Sequence, residues 1–198
     1  MKKLEEYIAE AYDTKSNMSV VQPKNKIELK KIIKDAFARK QYDLNFIDTS
    51  KITDMQNLFE YCEHDIDVSN WDVSKVKNMQ HMFYYCDKFN CDISNWNTSH
   101  VVDMYQMFYC CKNFDCDLSK WDVSNVIDMK SMFDCCIEFE GKGLENWNVE
   151  NITDASYMFC GCEKLNCDLS NWNIAKTTYI KDMFFNCDKN IIPDWYNA

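Results

Sequence analysis

The stretch DLSKWDVSNVIDMKSMFDCC, residues 117–136, decides the fold because variants of it return along the chain with a period of 25 or 26 residues over most of its length. Tryptophan recurs in steps of 23 to 26 residues at Trp71, Trp96, Trp121, Trp147, Trp172 and Trp195. Phenylalanine keeps nearly the same period at Phe59, Phe83, Phe108, Phe133, Phe159 and Phe184. Two side-chain ladders that share one period indicate a repeat array.

Within one unit, the spacing of the apolar residues predicts a helix and a strand. Four side chains stand at i, i+3, i+4 and i+7, which places them on one helix face: Met129, Met132, Phe133 and Cys136. Asp128 directly precedes them and is suited to be the N-cap. Trp121 and Val123 alternate with Asp122, as in a strand. We therefore expect a short strand, a turn, a helix of about two turns and a polar return loop.

A unit of this size cannot fold alone. Burial of each large apolar group contributes roughly 2 kcal/mol. The sum over the few such groups in one unit is far less than the conformational entropy lost on ordering the unit. Stacking on neighbours closes the gap, so the sequence predicts an α/β repeat solenoid with one short strand and one short helix per unit. We place six repeats at 43–189 and a C-terminal cap at 190–198, with one extra residue entering at 140–143.

Residues 1–42 lie outside the period and are predicted to form an N-terminal cap of two helices with short strands. The first helix is expected over 2–12. Asn25, with Glu28 three residues later, marks the start of the second. The apolar face of this second helix holds Leu29, Ile32, Ile33 and Phe37. Residues 19–23 and 42–48 read as short strands that flank it.

Charge and hydropathy disfavour several classes of protein. The start of the chain has no apolar core of a secretory signal, and no run approaches about 18 apolar residues, so we expect no membrane span. We expect a cytoplasmic protein whose 12 cysteines begin as thiols. Residues 43–198 hold twelve Lys/Arg against twenty-six Asp/Glu, an excess of negative charge that disfavours nucleic acid and anionic membranes as partners.

The stretches NWDVSKVKNMQHMFYYC (70–86) and KWDVSNVIDMKSMFDCC (120–136) resemble the repeat of BspA-like surface proteins, and the resemblance extends over about residues 25–189. It implies a leucine-rich-repeat-like solenoid and a role in adhesion or protein binding. Such repeats occur in bacteria, protists and large DNA viruses. The richness in Asn, Lys, Tyr and Ile favours a giant virus or its protist host as the source, with the virion or host cytoplasm as location.

The cysteines fall into classes with different expected roles. One per unit recurs three residues after the phenylalanine and is expected to be a small buried hydrophobe: Cys62, Cys86, Cys111, Cys136, Cys162 and Cys187. Cys110, Cys135 and Cys160 lie off that face and are candidate reactive thiols. Alternatives are disulfides between units, or zinc at the C-x4-C pairs Cys86/Cys91, Cys111/Cys116 and Cys162/Cys167. The repeat itself explains these pairs, so we predict no metal and no cofactor.

Aspartates and asparagines also recur, and in a chain with Gly 3 and Pro 2 they are expected to make the turns by bonding to nearby backbone. A stack of calcium sites is the alternative reading of such aligned oxygens. Histidines do not recur and form no known catalytic arrangement, so no catalytic residue is assigned.

The positions that vary between units are the candidate partner-binding surface. One set is aromatic: Tyr61, Tyr84, Tyr85, Tyr105 and Tyr109. A second set lies on the predicted strand side: Lys75, His100, Asn125, Asn151 and Lys176. Aromatic clusters are common at protein interfaces, although tyrosines packed sideways between neighbouring units would give the same pattern. We expect a non-catalytic module that binds a protein partner, with a cysteine-based metal or redox protein and a virion-associated structural or adhesion protein as alternatives.

Overall fold

A computed structural model describes residues 20–176 and 178–197. Helix α1 spans Lys26–Ala38 and buries the apolar face expected from the sequence, with Leu29, Ile32 and Ile33 at most 5% exposed. The Asn25 side chain accepts the Glu28 amide at 3.0 Å, which confirms the predicted N-cap. The helix predicted over 2–12 lies outside the described residues.

The rest of the described chain is built mainly from turns. Short 3₁₀ helices span Leu144–Asn146, Lys189–Ile191 and Asp194–Asn197. Across the described residues, parallel pairing takes the form of isolated bridges rather than strands. One column of bridges passes through every unit, from Asp54 to Asn78, Asp103, Asp128, Asp154 and Tyr179. Over the described residues 20–23 and 42–48, the flanking strands predicted at 19–23 and 42–48 are likewise reduced to the bridges Val21–Ile47 and Asp43–Asp67.

The predicted α/β solenoid, with a strand and a helix in each unit, is therefore wrong. Residues 130–135 form consecutive turns, and Trp121 and Val123 lie between turns rather than in a strand. What the units share is a ladder in which alternate amides donate to the next unit. In the fourth unit the amides of Met129, Ser131, Phe133 and Cys135 donate to the carbonyls of Asp154, Ser156, Met158 and Cys160 at 2.7–2.9 Å.

Competition for these amides explains why no helix forms. An α-helix would direct each amide to the carbonyl four residues earlier, whereas here alternate amides are bound to the neighbouring unit. The remaining bonds close tight turns, such as Met132 N–H to Met129 O at 3.1 Å. Consecutive turns return side chains to the same side every three or four residues, so their apolar pattern matches that of a helix. An eight-residue helix is also too short to be stable by itself.

The turns require a left-handed residue every four positions. Ser131 and Cys135 have φ of 51° and 60°. The second of these positions is occupied through the six units by Tyr61, Tyr85, Cys110, Cys135, Gly161 and Asn186, all with positive φ. Left-handed backbone favours Gly and Asn and is unfavourable for bulky side chains. The bonds between units must therefore offset this strain.

Stacked aromatic rings fill the core. Successive phenylalanines from Phe59 to Phe184 lie with ring centroids 5.5–5.8 Å apart. Each of the six tryptophans also donates its indole N–H to a carbonyl of the preceding unit at 2.8–3.2 Å; Trp121, for example, donates to Ile93 at 3.0 Å. Tryptophan is thus both an apolar filler and a clamp between units.

The recurrent cysteine has a second role besides packing. From the second unit onward its thiol donates to the phenylalanine carbonyl of the preceding unit at 2.9–3.0 Å. Cys136, fully buried, bonds to Phe108 in this way. The sequence indicates the burial of these thiols but not their hydrogen bonds. A purely apolar residue at this position would leave the carbonyl without that donor.

Aspartate and asparagine make the turns, as predicted. Asp128 accepts the Lys130 amide at 2.9 Å, and Asp122 accepts the Ser124 amide at 3.0 Å. Asp128 therefore closes a local turn rather than capping a helix. Hydrogen bonds from the side chain and the backbone amide of Ser124 lower the pKa of Asp122, and bonds from serine do the same for Asp92, Asp117 and Asp168.

The extra residue at 140–143 coincides with two left-handed glycines. Gly141 and Gly143 have φ of 80° and 88°, and Gly143 is the N-cap of the 3₁₀ helix Leu144–Asn146. At the far end, Trp195 and Tyr196 pack against Phe184.

No helix in the described part of the chain combines the length and apolar character needed to cross a bilayer.

Candidate protein-interaction surface

The five candidate tyrosines meet on one face of the stack. Tyr61, Tyr84, Tyr85 and Tyr109 contact one another, with ring centroids 4.8–5.5 Å apart. His81 lies 5.0 Å from both Tyr84 and Tyr105 and links the fifth ring to the others. We call these five tyrosines and His81 the tyrosine surface.

Exposure is greatest at the end nearest α1. Tyr61 is 61% and Tyr85 41% exposed, whereas Tyr84, Tyr105 and Tyr109 are half-buried. The two most exposed rings are stacked on each other with an interplanar angle of 22°. Burial raises the pKa of Tyr84 and of Tyr109, so both phenols stay neutral near neutral pH.

A shallow groove of about 350 Å³ borders the two exposed rings. We call it the acidic groove; its lining residues are Tyr61, Cys62, Glu63, Tyr85, Asp87 and Lys88. Asp87 binds Lys112 through Oδ2 at 2.8 Å, while its Oδ1 is buried and has no hydrogen-bond donor among the described residues. Glu60, next to Tyr61 in the chain, adds a further exposed carboxylate.

The second candidate set forms a separate column. Lys75, His100, Asn125, Asn151 and Lys176 are all exposed. Asn125 and Asn151 donate their side-chain amides to the carbonyls of Ser99 and Ser124 in the preceding units at 2.8 and 2.7 Å. These two asparagines contribute to stacking, which leaves fewer free polar groups for a partner than the sequence indicated.

The candidate thiols lie near the tyrosine surface. Cys110 and Cys135 occupy equivalent left-handed positions in adjacent units. Cys135 donates its thiol to the buried carboxyl group of Asp134 at 3.4 Å, and Cys160 lies near the same carboxyl group. Burial raises the pKa of Cys135 and of Cys160 to about 12. Little thiolate is present at neutral pH at such values, which weakens nucleophilic reactivity.

The C-x4-C pairs were the candidate zinc ligands. Within residues 20–176 and 178–197, no three His, Cys, Asp or Glu side chains lie together in a way that could hold a metal ion. In the C-x4-C pair Cys86/Cys91, the first sulfur bonds to Phe59 O and the second to the Val68 amide. The two cysteines thus serve different parts of the backbone.

Two residues of this surface were not singled out by the sequence. Histidine does not recur with the repeat, yet the His81 ring joins two tyrosines and its Nε2 lies 2.8 Å from Gln106 Oε1. Asp87 was indistinguishable from the many solvated acidic residues. Its only signal was its position, two residues after Tyr85 at the end of the turn ladder.

The fold and this surface define a class: a protein of stacked, turn-built repeats with an aromatic face. The family described as "Mycoplasma protein of unknown function, DUF285" matches residues 27–142 and 112–195. The chain belongs to this family, whose description assigns no function. No curated protein and no solved structure matches the chain.

Proposed function

We propose that this chain is a non-catalytic protein-binding module whose partner docks on the tyrosine surface. The observation that carries the proposal is the network of four tyrosines in contact, two of them widely exposed, which His81 joins to Tyr105. Exposed apolar residues of soluble proteins usually stand singly, and contiguous patches mark interaction sites. Tyrosine is also favoured at interfaces, because it offers a large and fairly rigid contact area with one hydroxyl.

Backbone strain supports the same proposal. Tyr61 and Tyr85 have φ of 59° and 57°, where an aromatic side chain is disfavoured. The equivalent positions of the last two units hold Gly161 and Asn186, residue types that suit this conformation. Tyrosine is therefore a poorer choice for folding at these two positions, which favours a role at the surface.

The chain itself supplies variants that test the proposal. Replacing both exposed rings by the residue found at Asn186, as Tyr61→Asn with Tyr85→Asn, removes them while favouring the left-handed backbone. The matched control is Tyr179→Asn, since Tyr179 is 71% exposed in the last unit and its equivalent in the second unit is Asn78. Each full-length protein is used for affinity capture from its native source.

We expect a specific protein to be retained by the wild type and by Tyr179→Asn, and to be lost with the double variant. The double variant should be at least as stable to unfolding as the wild type and Tyr179→Asn, because the substituted residues lie outside the core and asparagine suits the left-handed backbone. If the double variant retains the same partners in the same amounts, the tyrosine surface is not the docking site.

The cysteine-based alternative has weaker support. In a ladder, equivalent side chains of adjacent units project in parallel and are separated by about 4.8 Å. A relaxed disulfide needs Cβ atoms about 3.8 Å apart, so oxidation of Cys110 and Cys135 would strain the stack. Counting free thiols in native protein, together with metal analysis, tests this alternative.

The resemblance to BspA-like proteins supports adhesion as the form that binding takes. A giant-virus or protist source, with a location in the host cytoplasm or the virion, stays a prediction from the sequence. Detection of the protein in purified particles, or only in host cytoplasm, tests these two locations.

A further inference from the structure

The acidic groove has the chemistry of a site for a cation that also stacks on aromatic rings. It lies at the exposed end of the tyrosine surface, where Tyr61 and Tyr85 offer stacked rings with centroids 5.5 Å apart. Aromatic ring faces attract cations, and they do so more strongly when the site is partly shielded from water. The half-buried rings of Tyr84 and Tyr109 adjoin this pair and add shielding.

The charge around these rings is negative. Glu63 and Asp87 line the groove with a single lysine, Lys88, and the exposed Glu60 lies beside Tyr61. Asp87 already binds Lys112 through one oxygen, but the other oxygen has no donor among the described residues. A buried carboxylate oxygen without a donor is unfavourable, so a ligand that supplies an N–H group gains an additional bond there. The Asp87 side chain as a whole is 50% exposed and lines the groove, so its carboxylate can be reached from there.

We infer that the acidic groove binds an arginine side chain carried by the protein partner. Guanidinium is planar, stacks on aromatic rings and presents several N–H donors at once, whereas ammonium is a compact and strongly hydrated charge. The groove offers both complements: a pair of rings, and a carboxylate with one oxygen that lacks a donor among the described residues. The inference rests on the proposed function and gives its partner a chemical character, a segment that is basic and contains arginine. The net negative charge of residues 43–198 would also draw such a segment toward the stack.

The test uses the full chain and three capped peptides that are identical except for one central residue: arginine, lysine or citrulline. Citrulline has nearly the shape of arginine but carries no charge. Binding is followed by the shifts of the backbone amide signals of Tyr61, Tyr85 and Asp87 in two-dimensional NMR. We expect the arginine peptide to bind about tenfold more tightly than the citrulline peptide, with the lysine peptide between them. Shifts should be concentrated at the groove.

Four variants locate the effect. Tyr85→Asn and Asp87→Asn should each remove most of the preference for arginine, and Tyr179→Asn should leave it unchanged. Lys112→Gln removes the cation that competes for Asp87 and leaves the Asp87 carboxylate unchanged. The affinity of this variant for the arginine peptide should therefore equal or exceed that of the wild type. Loss of the preference in Lys112→Gln to the extent seen in Asp87→Asn would overturn the role given to Asp87.

Equal affinity of the arginine and citrulline peptides for the wild type would overturn the inference. If the Tyr61→Asn/Tyr85→Asn protein still lost its captured partner in that case, the proposed function would stand with a partner that does not use arginine. If the peptides discriminate but capture is unaffected by the double variant, the proposed docking surface fails while the arginine site remains.

Discussion

Gly143 offers the sharpest test of how the units fit together. Its φ is +88°, and a Cβ atom added there would lie 2.2 Å from the backbone nitrogen and 2.4 Å from the Cα of Ser119 in the preceding unit. Ordinary contacts are roughly 3.5 Å or longer, so the backbone of one unit must move by about 1 Å. The atoms in the way belong to the Ser119 backbone rather than to a flexible side chain, so no small side-chain rotation can relieve the clash.

Two contributions set the expected loss of stability for Gly143→Ala. Left-handed backbone costs about 1–2 kcal/mol for a residue with a Cβ, and forced repacking of a tight contact costs about 1–3 kcal/mol. A small gain from the reduced entropy of the unfolded chain, about 0.4–1 kcal/mol, works in the other direction. We expect the free energy of unfolding to fall by roughly 2–4 kcal/mol.

Gly161→Ala is the matched control. Its φ is +69°, but the nearest atom to an added Cβ is Cys135 Sγ at 3.6 Å, an ordinary contact. The equivalent position accepts Tyr85, Cys110 and Cys135 in other units, so we expect a loss of about 1 kcal/mol or less. Urea unfolding followed by tryptophan fluorescence measures both variants. Equal losses would refute the close approach of units at Gly143.

Other consequences of the stack can be measured in the same way. Trp121→Phe should lower the free energy of unfolding by about 0.5–1.5 kcal/mol, the net contribution of one hydrogen bond, because the Ile93 carbonyl keeps the Trp96 amide but loses the indole donor; no loss would mean that the indole bond does not hold units together. Burial raises the pKa of all twelve cysteines, among them Cys116 and Cys187 to about 11. Folding therefore favours the neutral form of the thiols. Their contribution to the free energy of unfolding is complete below the ordinary pKa of 9.0 and is lost as pH rises through their pKa values in the folded state. Unfolding curves at increasing pH should show stability falling above pH 9, and a flat profile up to about pH 11 would contradict this. Aspartates in the turns affect stability at acidic pH. Bonds from serine lower the pKa of Asp122 and Asp168, so their contribution to the free energy of unfolding is present above pH 3.8 and is lost as pH falls through their lowered pKa values. Asp122→Ala should therefore reduce the acid sensitivity of unfolding, and an unchanged profile would rule out that contribution.

Sequence patterns predicted the repeat, its register and the buried ladders, because these depend only on which positions are apolar. The apolar face of α1 and the use of aspartate in turns were also predicted, because each depends only on residues close in the chain. The secondary structure of the units was not predictable in this way. Spacing of i, i+3, i+4 and i+7 describes consecutive tight turns as well as a helix, and the choice depends on carbonyls about 25 residues away.

The candidate surface was predicted only in part. Variable tyrosines in successive units are expected to meet once the period is known, and Tyr61, Tyr84 and Tyr85 do. Left-handed backbone at two of them, and the donor missing at Asp87, could not be read from residue types. Both depend on bond geometry between units, as does the thiol bond of each recurrent cysteine.

Each unit is a series of turns bonded to its neighbour, and this ladder carries the aromatic face. Scalar coupling across hydrogen bonds, measured by NMR on labelled protein, tests it directly. Coupling is expected from the amide nitrogen of Cys135 to the carbonyl carbon of Cys160, and from Phe133 to Met158. Coupling from Phe133 to the carbonyl of Met129 instead would identify an α-helix in the unit and contradict the account.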